Sequence, residues 1–233
     1  MKSNRPIFFV LIMAALDITV SATLIYAQQN QSQGDNKIAF QWAFGVIKNT
    51  ALGPQFETIQ RDSVLKSRDQ IKFFLSLDTM SYVYLIYQSS QQDLIVLFPH
   101  RFNELGQGAQ IGGNHYIPKG DQWFELDETA GFEKFFLLAS VERLTELENL
   151  VNAYESADKA NRSGLGKEVV AEIRRLRKKH RKFKTYAEKP VAVIGNMRGS
   201  AKTKAVGLND LADHAVEIST TNFFSRTYTI DHQ

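Results

Sequence analysis

The chain has 233 residues, of which 43% are hydrophobic and 23% charged, with a formal net charge of +3. That length carries a sizeable core, and that balance excludes a collagen-like, mucin-like or wholly disordered chain. There is no cysteine, which removes disulfides, thiolate metal sites, iron–sulfur clusters, cysteine nucleophiles and a lipid-modified cysteine. Mean hydropathy is −0.27 and only one apolar run stands out, so a polytopic membrane protein is excluded too.

That run opens the chain. Lys2 and Arg5 precede ten unbroken apolar residues at 7–16, IFFVLIMAAL, and small residues follow at Val20-Ser21-Ala22 and Ile25-Tyr26-Ala27. A short positive region, a brief apolar stretch and a small-residue end form the pattern of a cleaved secretory signal. An uncleaved anchor needs about 20 apolar residues, and Asp17 interrupts the run. The expected division is a signal peptide over 1–27, ending at Ala27 in preference to Ala22, then a polar flexible leader over 28–37. The expected location is exported, in the periplasm or cell envelope of a Gram-negative bacterium, with no transmembrane helix after cleavage.

Residues 38–140 read as an antiparallel β domain. Segments 70–77 (QIKFFLSL) and 81–88 (SYVYLIYQ) are rich in aromatic and branched residues, as strands are. In the second, Tyr82, Tyr84 and Ile86 alternate with Val83, Leu85 and Tyr87, so both faces are apolar and the strand is expected to be central. Ser89 to Gln92 is a polar turn, and 93–98 (DLIVLF) returns to form a hairpin. Segments 114–117, 122–126 and 133–140 read as further strands, with Lys119-Gly120-Asp121 a turn. Short strands at this spacing point to a sandwich or half-barrel. Gly106, Gly108, Gly112 and Gly113 lie in a loop from Asn103 to Asn114. Backbone N–H groups of such a loop can cradle an anion, but no helix signal follows, and isolated glycines read first as a connection.

Asp69-Gln70-Ile71-Lys72-Phe73, then YVYLIYQSSQQDLIVLFPHRF, then YIPKGDQWFELDETAGFEKFFLLAS together resemble the bacterial "domain of unknown function 4384" family, over roughly residues 57–140. The linked features are Leu97-Phe98-Pro99 closing a strand pair, Tyr116-Ile117-Pro118, and Trp123-Phe124-Glu125-Leu126-Asp127 before a strand ending Leu138-Ala139-Ser140. The resemblance implies a β-rich module of exported bacterial proteins, sometimes joined to enzymatic domains such as caspase-like peptidases. It brings no agreed activity and no catalytic residues.

Charge is segregated along the chain. Residues 28–158 hold 10 Lys/Arg against 17 Asp/Glu, while 159–189 hold 12 against 3. The basic part is attracted to anionic partners, or to the acidic part of its own chain. Residues 141–157 place Leu144, Leu147, Val151 and Tyr154 on one helix face, and 166–184 repeat the pattern at Val169, Ile173, Leu176, His180 and Phe183. With Asn161-Arg162-Ser163-Gly164 read as a turn, 141–185 is a helical hairpin with a basic second helix. That helix carries RRLRKKHRKFK. Like charges at this spacing repel by a few tenths of a kcal/mol per pair, roughly, so a counter-charge is expected: either an anionic partner, or the acidic β domain and Glu142, Glu146 and Glu148. The candidate partner-binding residues are Arg174, Arg175, Lys178, Lys179, Arg181 and Lys182. Aromatic interleaving is thin, which argues against nucleic acid.

In residues 186–233, segments 191–195, 215–219 and 226–230 read as strands that rejoin the front sheet, because this leaves fewer open edges. The fold class is thus α+β, an antiparallel sandwich or half-barrel with an inserted helical hairpin. Gly195 to Thr203 imitates a phosphate loop, but its spacing is wrong and nucleotide is excluded. His100, His115, His180, His214 and His232 show no metal-ligand spacing, so no cofactor or metal is expected. The nearest approach to a hydrolase site is His115 with Asp121, Glu125 and Asp127, beside the adjacent pair Asp127-Glu128. The expected function is a non-catalytic envelope protein that binds another envelope component, of protein or anionic character. The alternatives are a structural role through self-association, as a homo-oligomer, and a hydrolase with an undescribed site.

Overall fold

The computed structural model describes residues 36–107, 113–181, 187–190 and 208–233. The expected signal peptide, nearly all of the leader, the expected strand at 191–195 and the imitation phosphate loop lie outside the described residues, as do Gly108 and Gly112. Ile38–Gln233 forms one compact unit.

In chain order the elements are β1 (Lys37–Thr50), β2 (Gly53–Thr58), β3 (Ser63–Leu65), β4 (Gln70–Leu77), β5 (Tyr82–Gln88), β6 (Leu94–Phe98), a 3-10 turn (Phe102–Gln107), β7 (Asn114–Ile117), β8 (Phe124–Glu125) and β9 (Gly131–Ser140). Then follow α1 (Thr145–Ser156), α2 (Lys159–Lys179), β10 (Ala187–Pro190), α3 (Leu208–Asp213), β11 (Val216–Thr221) and β12 (Phe223–His232). The first sheet runs β10-β11-β1-β4-β7, with β2 on β1 and β8 on β4; the second runs β3-β12-β9-β5-β6.

The two sheets pack face to face, because their strands alternate. Ile38, Phe40, Trp42, Phe44 and Val46 of β1 point into one core with Phe73 and Leu75 of β4, Phe135 and Leu137 of β9, and Phe224, Tyr228 and Ile230 of β12. Phe44 is central: its ring lies 4.4 Å from Phe73 and 5.2 Å from Phe135. Buried aromatics at such separations add to what area burial alone provides.

The expected hairpin of 81–88 with 93–98 is present, pairing Ile86 with Val96 and Gln88 with Leu94, with an irregularity at Leu85 and Ile86. The structure explains why β5 is apolar on both faces. Val83 and Leu85 enter the inter-sheet core, whereas Tyr84 and Ile86 face a second core beneath the helices. There Leu147, Val151 and Tyr154 of α1 and Val169, Ile173 and Leu176 of α2 cover Phe136 and Leu138 of β9. The expected helical stripes therefore pack on the sheet.

Two expectations need correction. Asn161 to Gly164 is not a turn but the first part of α2, which begins at Lys159. Asp158 starts it as the N-cap, its carboxylate accepting the Asn161 N–H at 3.0 Å, and this satisfies one of the unpaired N–H groups at the helix start. The second helix ends at Lys179, with β10 beginning at Ala187. The tail strands rejoin the front β domain as expected, one on each sheet: β11 extends the first beside β1, and β12 pairs with β9 of the second from Phe223↔Ser140 to His232↔Gly131. An ion pair links the two sheets, with the Arg226 guanidinium of β12 on both carboxylate oxygens of Glu188 of β10 at 2.7 and 2.8 Å. Outside the first sheet, Leu211 of α3 packs on Ala43 and Phe74.

Candidate functional site: the basic face of helix α2

Helix α2 buries Gly166, Val169, Val170, Ile173 and Leu176 against the second sheet and α1. Gly166 lies against the Tyr154 ring, where an added Cβ would sit 3.4 Å away. With 3.6 residues per turn, this fixes what faces outward: Lys167, Arg174 and Lys178 fall close to one line, and Arg181 follows just past the helix end. All four are exposed. At 1.5 Å per residue the line from Lys167 to Lys178 is about 16 Å long.

The structure separates the six candidate cations. Arg174, Lys178, Lys179 and Arg181 are exposed, and among the described residues no ion pair reaches them. Arg175 is engaged: its Nε and Nη2 donate to the two oxygens of buried Glu172 at 2.5 and 2.7 Å. Lys182 lies outside the described residues. Beside the six, Arg177 donates to Thr227 Oγ1 of β12 at 3.1 Å and ties down the end of the helix. The His180 ring stacks on Phe223 with centroids 4.6 Å apart; burial and neighbouring Lys179 lower its pKa. Of the acids expected to balance the helix, Glu146 acts on Arg175 and Glu142 on His180. Glu148 is buried and taken by Arg143 and Tyr84.

The residues weighed as a hydrolase site do not converge. His115 packs edge-on to Phe98 at 5.2 Å, and burial and Lys119 both lower its pKa. Asp121 acts on the Lys72 ammonium instead. Glu125, Asp127 and Glu128 are exposed, and Asp127 accepts the Thr129 N–H at 2.7 Å as an ordinary turn residue.

The fold instead assembles a polar chain that sequence reading missed. Ser67 Oγ lies 3.2 Å from His232 Nε2, and His232 Nδ1 lies 3.2 Å from Glu133 Oε1. With the proton on Nδ1, the ring donates to Glu133 and accepts from the serine, the order a nucleophile, base and orienting acid require. Burial raises the Glu133 pKa, against the opposing pull of His232. The donors needed to stabilise an oxyanion are committed, however. The Ser67 N–H goes to the Gln233 carbonyl at 3.2 Å and the Arg68 N–H to the Leu126 carbonyl at 2.8 Å. The chain therefore works as a tether between β12, β9 and the turn after β3. No local signal announces it, because its members are 165 and 99 positions apart.

A shallow cleft of about 280 Å³ lies between the loop after β6 and α1, lined by His100, Arg101, Phe102, Asn103, Asn152 and Glu155. Among the described residues no group of histidine and acidic side chains is arranged to hold a metal ion, and no helix is long and apolar enough to cross a membrane.

The family model described as "Domain of unknown function (DUF4384)" matches residues 64–143. Neither the curated proteins nor the solved structures gave a match. The matched segment holds β4 to β9 complete, the strands on which the resemblance rested. Residues 64–143 of this chain are accordingly similar to the family of domains of unknown function 4384.

Proposed function

We propose that the chain is an exported, non-catalytic module of the bacterial cell envelope that binds another envelope component through the outward face of α2. One observation carries this reading: Arg174, Lys178 and Lys179 on α2 and Arg181 just past its end are exposed, and no ion pair reaches them among the described residues. A cluster of cations left unneutralised raises the local concentration of anionic partners. The N-terminal apolar run motivates the envelope location, as an expectation from sequence.

Capture of partners from the organism's own envelope fraction tests it, at low and high salt, beside a variant with Arg174, Lys178, Lys179 and Arg181 changed to glutamate. Retention that falls with salt and with charge reversal supports the reading, since screening shortens the reach of exposed charges to about 3 Å at 1 M salt. Retention unchanged in both would move recognition away from α2. Self-association is favoured by one feature, the exposed Ile95 on edge strand β6. It predicts a size that grows with concentration.

A further inference from the structure

We infer that the surface met by the α2 stripe is the phosphate face of an anionic phospholipid bilayer. The inference rests on the binding reading above and narrows it to one chemistry.

The shape of the site is the first argument. Lys167, Arg174 and Lys178 form a line of about 16 Å on the outside of a helix, Arg181 follows just past its end, and all four side chains are exposed. They line no part of the cleft, which is built from the loop after β6 and from α1. A convex row of charges meets a broad, gently curved surface along its whole length; it does not enclose a discrete ligand.

The composition of the row is the second. Protein interfaces draw their affinity from a desolvated centre with aromatic or apolar anchors. The outward line has none: the apolar side chains of α2, Val169, Val170, Ile173 and Leu176, are all turned inward. The contact is therefore peripheral and electrostatic, without insertion. Acid is also kept off the line. Glu172 is buried and its carboxylate is occupied by Arg175, and Glu168 is displaced from Lys167 by about 100° round the helix.

Rigidity is the third. The Asp158 cap, the buried inward face and the Arg177 bond to Thr227 hold α2 against the second sheet. Lys167, Arg174 and Lys178 reach a plane together without ordering the backbone first. Each cation near an anionic membrane surface contributes about five-fold in affinity, so the three on the helix together contribute about a hundred-fold.

The test is vesicle co-sedimentation of the protein as purified from the envelope. Vesicles of phosphatidylcholine alone are compared with vesicles that also contain phosphatidylglycerol. The wild-type protein is expected to bind the mixed vesicles about a hundred-fold more tightly, and to release them as salt rises. The variant Lys167→Glu, Arg174→Glu, Lys178→Glu, Arg181→Glu is expected to lose that preference. Arg174→Lys with Arg181→Lys keeps the charge and is expected to retain it, while equal melting midpoints show that both variants fold. Equal binding of wild type to the two vesicle types overturns the proposal, as does undiminished binding by the charge-reversed variant. If wild type ignores phosphatidylglycerol yet is still captured from the envelope fraction through these charges, the lipid inference is wrong and the binding reading stands, with an acidic glycan or protein as partner. If envelope capture is also insensitive to the charges, the binding reading fails as well.

Discussion

The Tyr84 hydroxyl of β5 donates to Glu148 of α1 at 2.6 Å and accepts the Leu144 N–H at 3.0 Å. Leu144 is the N-cap residue of α1 and has no capping side chain of its own. A strand residue thus satisfies the helix start that sequence alone leaves open. Arg143 pairs with the same carboxylate and also reaches the Phe102 carbonyl at 3.2 Å. Burial, reinforced by Glu148, raises the Tyr84 pKa.

Tyr84→Phe keeps the ring and removes both bonds. It leaves the Leu144 N–H unpaired and a buried carboxylate with one partner fewer, which costs about 2–3 kcal/mol. The measurement is urea unfolding, with a lower midpoint and an unchanged slope expected. An unchanged midpoint would mean that water replaces the hydroxyl without loss.

Burial raises the Glu133 pKa above its reference of 4.5. A group raised in the folded state contributes its stability below the unfolded value and loses it as pH rises through the folded value. Glu133→Gln removes that loss and keeps an acceptor for His232 Nδ1–H. The variant is expected to be more stable than wild type at pH 7, with the gap closing towards pH 4. Melting curves across that range check it, and a variant less stable than wild type at neutral pH would show that the anion is the form His232 needs.

Gly45 of β1 faces α3. A Cβ there would lie 2.6 Å from Leu211 Cδ1 and 2.9 Å from Phe56 Cε2. Gly45→Ala is expected to destabilise by about 1–3 kcal/mol through overpacking. Leu211→Ala in the same chain makes room, so the double variant should lose less than the sum of the two single changes.

Residues 64–143 should not fold alone. β4 pairs with β1 along eight residues, from Phe40↔Leu77 to Ile47↔Gln70, and β9 pairs with β12 along ten. Both partners lie outside the matched segment. The isolated segment exposes Phe73, Phe135 and Leu137 together with two unpaired edges. Circular dichroism and amide exchange are expected to show no cooperative structure; a cooperative melt would mean the segment is autonomous.

Much of the fold was legible where a residue's pattern and its environment agree. The strands at 70–77 and 114–117 were bounded as observed, and the two apolar faces of Tyr82 to Gln88 correctly implied cover on both sides. Asn161 to Gly164 reads as a turn by residue type alone, whereas Asp158 caps the helix ahead of it and the Tyr154 ring packs on Gly166. In the candidate site, the cations of α2 were legible as a run, but not which were free. Only the fold shows that Glu172 takes Arg175. The Ser67, His232 and Glu133 chain was illegible, because it depends on β12 pairing with β3 and β9 at once.

β12 lies between β3 and β9 in the second sheet and comes last of the described elements. A chain made from its N-terminus therefore holds Gly131–Ser140 ready long before Phe223–His232 can pair with it. During that interval the full ten-residue edge of β9 stands open, with Phe135 and Leu137 short of neighbours. Such an edge is a template for pairing with other chains. The vulnerable period in the life of this protein is thus set by the order of its synthesis: it ends when the last strand slots into the gap kept for it.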